Sequence, residues 1–143
     1  MKKKFEIFQL PKIDGEKSPN FTMTPIELKN YIDFTVKRVY YLTNPKAASG
    51  QHCHKIEKEF FIVVQGEVTA VIDQGSGKED IYLEGSSSAI YCANFVWHGF
   101  KDFSTDAILL ALSSTNYRPD RSDYIEDYDT YLKIRDKELK IAN

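Results

Sequence analysis

The stretch GQHCHKIEKEFFIVVQG, residues 50–66, contributes most to the interpretation of this chain. His52 and His54 stand two residues apart, and Glu59 follows five residues after His54. Because residues two apart on a strand point to the same face, the two imidazoles look into one space, which Glu59 can join from the next strand. His98, in VWHGF, completes the three histidines of the chain. The pattern predicts a polar site inside a small β-barrel.

Composition bounds the class of protein. A length of 143 residues predicts one domain, 1–143, with a core of its own. The formal net charge of −2 weighs against a nucleic-acid partner, since such proteins usually carry a basic face. No apolar run has the length of a signal peptide or a membrane span, and two cysteines make no disulfide framework. We therefore expect a cytoplasmic protein with no membrane partner.

Short runs rich in β-branched and aromatic residues alternate with turns. Strands are predicted at 5–10, 34–43, 60–64, 68–73, 81–83, 89–91, 98–100 and 108–112, with a turn at 45–50. The tripeptide Gln65-Gly66-Glu67 predicts a hairpin between the strands on either side of it. Strands of this length and spacing predict an all-β fold, a sandwich or small barrel.

The tail changes from a strand pattern to a helical one. A helix is predicted over about 123–140, with Tyr124, Tyr128, Leu132 and Leu139 on one stripe. Core packing of this closing helix accounts for its tyrosines. The predicted architecture is a β-barrel with a C-terminal helix.

Two chemistries suit the cluster of His52, His54, Glu59 and His98. Imidazole nitrogens and a carboxylate can hold Zn, Fe, Ni or Mn. Alternatively, a histidine can accept and return a proton at cellular pH without any metal. A lone strand histidine is more often a half-buried polar residue, but two at this spacing beside a carboxylate favour a site.

Two residues of the strand 34–43 bear on that choice. Arg38 and Tyr40 lie on the same face because they are two residues apart. The guanidinium of Arg38 can hold a carboxylate, a phosphate or an enolate oxygen, and the Tyr40 phenol can donate to a developing oxyanion. A surface ion pair and a barrel aromatic are the alternative interpretations of these two side chains.

Four stretches together resemble a known family. They are KRVYY (37–41), GQHCHK (50–55), VWHGF with the following DFS (96–104) and SDYIEDYDTYL (122–132). The spacing His52-x-His54-x4-Glu59-x6-Gly66 is similar to the cupin motif. The four stretches resemble the dTDP-4-keto-6-deoxyglucose 3,4-ketoisomerases, the WxcM-like sugar-nucleotide isomerases of the cupin superfamily.

The resemblance implies a cupin-type jelly roll and an isomerase that moves the keto group of a dTDP-linked hexose. It implies His52 as the base between carbons 3 and 4, and Tyr40 as the residue that handles the proton on the oxygens. It also implies His98 as the residue that selects the face of carbon 4, with a lean toward the galacto product. We assign Arg38, His54 and Glu59 to substrate binding.

The resemblance further implies a homodimer, no metal or other cofactor, and a downstream 3-aminotransferase in the making of amino sugars for surface polysaccharides such as O-antigen. One position departs from the family. Its members usually carry Arg-Gly before the histidine pair, whereas this chain has Ser49-Gly50. The pyrophosphate then needs another cation, and Arg38 is the candidate. Glu59 keeps a metal-dependent cupin open as an alternative, and a non-catalytic sugar-nucleotide binding module is the third hypothesis.

Overall fold

The computed structural model describes residues 3–139 and contains two five-stranded antiparallel sheets. The strands are β1 (Phe5–Gln9), β2 (Arg38–Leu42), β3 (Ser49–His54), β4 (Glu59–Gln65), β5 (Glu67–Asp73), β6 (Glu79–Glu84), β7 (Ser88–Cys92), β8 (Trp97–Lys101), β9 (Ile108–Ser113) and β10 (Tyr124–Ile125). Helix α1 (Tyr128–Glu138) follows them, and 3₁₀ turns lie at Gly15–Lys17 and Leu28–Asn30.

The strand order is β1-β7-β4-β9-β2 in the first sheet and β10-β3-β8-β5-β6 in the second. From β2 to β10 the chain passes repeatedly from one sheet to the other, which is the connectivity of a jelly roll. The predicted all-β fold of the cupin type, with a C-terminal helix, is confirmed. No helix within residues 3–139 has the length and apolar character needed to cross a membrane.

Strand β4 is buried on both faces, and this fixes the layers of the molecule. Phe61 points into the space between the sheets, while Phe60 points outward and is fully buried. The outer side of Phe60 is covered by Phe8 and Tyr31, whose ring centroids lie 6.0 and 5.7 Å from it. The segment before β2 thus makes a second apolar layer, and the interior between the sheets stays available for a site.

The predicted hairpin at Gly66 is wrong. Strand β4 pairs with β7 and β9, whereas β5 pairs with β6 and β8, so Gly66 carries the chain from one sheet to the other. Its φ of +75° is one that L side chains rarely adopt, and a Cβ here would lie 2.8 Å from Ala107 Cα. A glycine is needed at this turn, but the local sequence does not say which strands will pair.

The predicted helix begins too early. Tyr124 belongs to β10, which pairs with β3, and the helix starts at Tyr128 with Asp127 as its N-cap, accepting from Thr130 N. The buried helical face centres on Tyr131 rather than on Leu132, which is 39% exposed. Tyr124 and Ile125 are strand residues, so a helical stripe counted from residue 124 puts the wrong side chains on the buried face of the helix. Lys140, the last residue of the predicted helix, lies outside the described residues.

Other strand boundaries differ from the predicted ones by one to four residues, and two of these differences lie next to the site. The strand predicted over 34–43 is β2, 38–42, because Phe34 instead packs on Tyr91 with ring centroids 6.2 Å apart. The turn predicted at 45–50 ends earlier, since Ser49 and Gly50 open β3. Gly50 has a φ of +82°, and a Cβ there would lie 2.9 Å from Gly99 Cα, so β3 and β8 approach closely beside the histidines.

Candidate active site

Both sheets contribute to one cluster of polar side chains in the interior. His52 lies directly opposite His98 in the pairing of β3 with β8, and the two ring centroids are 4.9 Å apart. The His54 ring is 4.8 Å from that of His52. Tyr40 and Glu59 reach the same region from β2 and β4 of the facing sheet, and their side chains are 2.8 Å apart.

A cavity of about 70 Å³ lies within this cluster. Tyr40, His52, Glu59 and His98 line it, and Ser49 and Leu42 stand at its edge with apolar residues of the barrel. Tyr40 also borders an open cleft of about 400 Å³, together with Arg38, Tyr117 and Tyr124. The arrangement offers a small reaction chamber beside a larger aromatic and cationic cleft.

Glu59 is the centre of the hydrogen-bond network. One carboxylate oxygen accepts from the Tyr40 hydroxyl at 2.8 Å, and the other accepts from His98 Nε2 at 3.0 Å. His54 Nε2 lies 3.6 Å from that second oxygen. Burial by itself raises the pKa of Glu59, but the His54 and His98 rings outweigh this and hold the pKa well below its usual range. Glu59 is therefore a fixed anion between donors.

The three histidines differ in what their nitrogens can do. Both nitrogens of His98 face oxygen acceptors, Nδ1 toward the Val96 carbonyl at 3.0 Å and Nε2 toward Glu59. The His52 ring, by contrast, makes no hydrogen bond within residues 3–139. Burial, followed by the nearby His98 and His54, lowers the pKa of His52 to about 3. A neutral imidazole with free nitrogens at the cavity is able to accept a proton.

His54 lies behind this pair and is only 2% exposed. Its Nδ1 is 3.2 Å from an oxygen of Asp123 and 3.2 Å from an oxygen of Glu57. Burial lowers the pKa of His54, but the neighbouring carboxylates of Asp123 and Glu59 outweigh it and raise the pKa to about 9. A cationic His54 therefore sits between carboxylates, next to a neutral His52.

Tyr40 and Arg38 share a face of β2, as the sequence predicts. Burial, together with the charge of Glu59, raises the pKa of Tyr40 far above its ordinary value, so the phenol keeps its proton. Arg38 forms an ion pair with Glu57 at 2.9 Å and stacks over Tyr40 and Tyr117, at 5.2 and 5.6 Å from their ring centroids. It does not line the small cavity but borders the open cleft.

Three further residues join the cluster that the sequence alone did not single out. Glu57 lies in the turn before β4, two residues before Glu59, and this second acid next to the motif was its signal in the sequence. Asp123 comes from the approach to β10, and Tyr124 packs on His52 and His54 with ring centroids 4.8 and 4.5 Å away. Both lie in the SDYI segment. Because this segment was predicted to be helical, nothing in the sequence indicated a contact between these residues and the histidines.

The same side chains could hold a metal ion. His52, His54, Glu59 and His98 each offer a ligand atom, and these atoms lie within 4.8 Å of one another. Imidazole and carboxylate donors suit a first-row divalent metal. The geometry alone therefore permits both metal binding and metal-free proton transfer.

A jelly roll with an imidazole and carboxylate cluster between its sheets defines a cupin-type enzyme. The family model described as "FdtA: WxcM-like, C-terminal" matches residues 3–136, so the chain belongs to this family. A curated relative, the TDP-4-oxo-6-deoxy-alpha-D-glucose-3,4-oxoisomerase of Aneurinibacillus thermoaerophilus, is 32% identical over 114 residues, which cover 78% of this chain and 81% of the relative.

Solved structures agree with this family. The 3,4-ketoisomerase QdtA from Thermoanaerobacterium thermosaccharolyticum, in complex with TDP, superposes with a TM-score of 0.82 at 30% identity, covering 96% of this chain and 98% of that one. A histidine-to-asparagine mutant of QdtA in complex with TDP-4-keto-6-deoxyglucose gives 0.81 at 29% identity, with 96% and 97% covered. The predicted membership of the 3,4-ketoisomerase family is confirmed.

Proposed function

We propose that this chain is a TDP-sugar 3,4-ketoisomerase that converts TDP-4-keto-6-deoxyglucose to a 3-keto-6-deoxyhexose, with His52 carrying the proton. The observation that carries the proposal is the contrast among the histidines: His52 is neutral, lines the cavity and has free nitrogens, while His54 and His98 are engaged by carboxylates. A solved relative in complex with TDP-4-keto-6-deoxyglucose shares the fold over 96% of this chain, and the curated oxoisomerase matches 78% of it in sequence.

The reaction balances without an oxidant or reductant. The ketone at carbon 4 acidifies the hydrogen on carbon 3, and His52 takes that proton while the carbon 3–carbon 4 double bond of an enediolate forms. Tyr40 serves the two oxygens: the carbon-4 oxygen gains a proton and the carbon-3 hydroxyl loses one. His52 then returns its proton to carbon 4, which leaves the ketone at carbon 3.

The environment of His52 and Tyr40 suits these steps. A proton held by His52 lies close to the buried anion Glu59, and the cationic His54 ring stands behind the cavity, 4.8 Å from the His52 ring. The Tyr40 hydroxyl, oriented by its hydrogen bond to Glu59, is placed at the cavity wall. Fixed dipoles and charges of this kind stabilise an enediolate without reorganisation of solvent.

The test is direct. The protein is incubated with TDP-4-keto-6-deoxyglucose in deuterated water, and the ketose is trapped with a 3-aminotransferase and its amino donor. We expect deuterium exchange at carbon 3 and a trapped 3-amino product. Absence of both exchange and product would overturn the proposed isomerase. Binding of TDP that survives without turnover would instead favour the sugar-nucleotide binding module.

The product configuration is the finer proposal. His98 lies across from His52 and is buried against Glu59, so it shapes the side of the cavity from which carbon 4 is reprotonated. We propose the galacto product. Proton coupling constants of the trapped amino sugar distinguish galacto from gluco, and a gluco product from the unmodified protein would refute this assignment. His98→Arg is the variant in which we expect the balance to move toward gluco.

Pyrophosphate binding is the next part of the proposal. Ser49 at the cavity edge carries no charge, and Arg38 borders the larger cleft. Lys46 and Lys101 border a different cleft. Arg38 and Lys46 therefore mark two alternative positions for the pyrophosphate. We expect Arg38→Gln to raise the KM for the TDP-sugar more than Lys46→Gln does. The reverse order would move the nucleotide to the lysine side.

A homodimer and a downstream 3-aminotransferase complete the proposal. Val39 and Tyr41, on the outward face of edge strand β2, are 57% and 67% exposed, which leaves apolar surface for a second copy. Light scattering after size exclusion is expected to give twice the 16.5 kDa mass of the chain. The aminotransferase follows from the chemistry, since a ketone at carbon 3 is the substrate such an enzyme consumes.

A metal-dependent cupin is the second candidate, because four ligand atoms lie within 4.8 Å of one another. Elemental analysis of protein purified without chelator separates the two candidates. Stoichiometric metal, with activity lost on chelation and restored by the metal, would favour the metalloenzyme. Full activity after exhaustive chelation would favour proton transfer by the side chains alone.

A further inference from the structure

Asp123 occupies a junction between the backbone of the β3–β4 turn and the histidines. Its Oδ1 accepts the N–H of Ile56 at 2.7 Å, and its Oδ2 accepts that of Glu57 at 3.2 Å. The same Oδ2 lies 3.2 Å from His54 Nδ1. Asp123 is 6% exposed, so water has little access to this carboxylate and these contacts are its main partners. It is held on one side by backbone and touches an imidazole on the other.

The contact continues toward the cavity. With Nδ1 turned to Asp123, the His54 ring presents Nε2 to Glu59, 3.6 Å away. Glu59 in turn accepts from the Tyr40 hydroxyl, and both Glu59 and Tyr40 line the cavity. A line of contacts therefore joins Asp123, which does not line the cavity, to the phenol that faces the substrate.

Glu57 Oε2 lies equally close to His54 Nδ1, at 3.2 Å. The other oxygen of Glu57, Oε1, accepts from the Arg38 guanidinium and the Ser113 hydroxyl, so Glu57 also has a cation of its own. Asp123 has no cation other than His54 among its contacts within residues 3–139. The residue after it, Tyr124, packs on the rings of His54 and His52. The approach to β10 thus contacts the histidine pair both through the Asp123 carboxylate, 3.2 Å from His54 Nδ1, and through the ring of Tyr124.

We infer that Asp123 is a positioning residue of the isomerase: it sets the ring orientation of His54, and through His54 it holds Glu59 where it accepts from Tyr40. The hydrogen bond at one ring nitrogen of a histidine decides which way the other nitrogen points and whether it carries a proton. The kinetic part of this inference rests on the proposed function. Its geometric part concerns the His54 ring alone.

The first experiment compares Asp123→Asn with Asp120→Asn. Asp120 is a nearby exposed acid whose carboxylate accepts from Ser122 N, so its variant controls for charge. An Asn at position 123 still offers an oxygen to Ile56 N but places an amide where His54 needs an acceptor. We expect kcat to fall about 10- to 100-fold in Asp123→Asn, with KM within about threefold, because positioning acts on the chemical step. We expect Asp120→Asn to match the unmodified enzyme.

A double-mutant cycle separates positioning from a merely structural role. If Asp123 acts through His54, Asp123→Asn adds little further loss of kcat in a His54→Gln background. Additive losses, or a kcat of Asp123→Asn within about twofold of the unmodified enzyme, would overturn the inference.

The second experiment does not depend on any variant folding or on turnover. Nitrogen-15 NMR of histidine-labelled, unmodified protein reports which His54 nitrogen carries a hydrogen-bonded proton. Because a cationic His54 carries a proton on both ring nitrogens, the readout is whether the Nδ1 proton is hydrogen-bonded, seen as a downfield proton shift. That shift supports the inference, and its absence overturns it. Because this spectrum needs no substrate, a protein that fails to isomerise the TDP-sugar would refute the proposed function and leave this test standing.

Discussion

Two buried carboxylates, Glu59 and Asp73, have similar surroundings in the structure but serve different ends. Each lies at the end of a strand, each is almost fully buried and each accepts from a tyrosine hydroxyl. Glu59 begins β4, and its other neighbours are the rings of His54 and His98. Asp73 ends β5, and its other donors are the N–H groups of Gly75 and Gly77 and the Arg135 guanidinium.

The difference lies in what the partners can do. The donors around Asp73 keep their protons at any ordinary pH, and they fasten the β5–β6 turn and helix α1 to the sheet. The partners of Glu59 include titratable rings and a phenol at the wall of a cavity, so they can move protons and meet a substrate. Burial and a low carboxyl pKa are shared by both residues, and they do not by themselves mark an active site.

The largest effect is expected from His52→Asn. Removing the proton carrier from the Glu59 cluster should lower kcat about 1,000-fold or more, since general acid–base catalysis supplies factors of this size. The melting temperature should stay close to that of the unmodified protein, because the His52 ring makes no hydrogen bond within the described chain, 3–139. Deuterium exchange at carbon 3 and thermal unfolding measure the two quantities. Retained exchange in a folded variant would remove His52 from the role of base.

Asp73→Asn should show the opposite profile. The substitution takes away one charge partner of Arg135 and leaves buried donors poorly matched, so the free energy of unfolding should fall by about 2 to 4 kcal/mol. At a temperature where the variant is folded, kcat should equal that of the unmodified enzyme. Urea unfolding and initial rates give both values. A loss of kcat in fully folded Asp73→Asn would erase the distinction between the two carboxylates.

The pH dependence of stability tests the histidines that surround Glu59 and that Asp73 lacks. The pKa of His54 is raised from its ordinary 6.5 to about 9, so its contribution is complete below pH 6.5 and is lost as the pH rises through 9. We expect the free energy of unfolding to fall by about 3 kcal/mol over that window. His54→Gln should flatten this part of the curve, while Asp73→Asn should keep it. An equally steep fall in His54→Gln would show that another group titrates.

The smallest effects come from the two tyrosines that donate to these carboxylates. Tyr40→Phe should lower kcat about 10- to 100-fold, because it removes the group that serves the substrate oxygens. Tyr128→Phe deletes the matching hydroxyl at Asp73 and should cost about 1 kcal/mol of stability with kcat unchanged. The kcat and the free energy of unfolding are measured for both variants under the same conditions. Equal kcat losses in both variants would argue for a general effect of the lost hydroxyl.

Much of the site could be predicted because its signal is local. His52 and His54 are two residues apart and lie on the same side of β3, as predicted, and Arg38 and Tyr40 likewise share a face of β2. The strand positions were predictable for the same reason, since alternation and β-branched residues act over a few neighbours. The roles assigned to these residues stay predictions until the variants are measured.

What the chain by itself determined is therefore the set of strands, the histidine pair and its carboxylate, and the resemblance that led to the family. The tertiary structure alone decided that β4 and β5 lie in different sheets, that Tyr124 extends a sheet instead of a helix, and that Asp123 stands behind His54. The physical reason is separation along the chain: strand partners and ion pairs between residues 69 positions apart depend on the packing of the whole barrel, which no local period encodes.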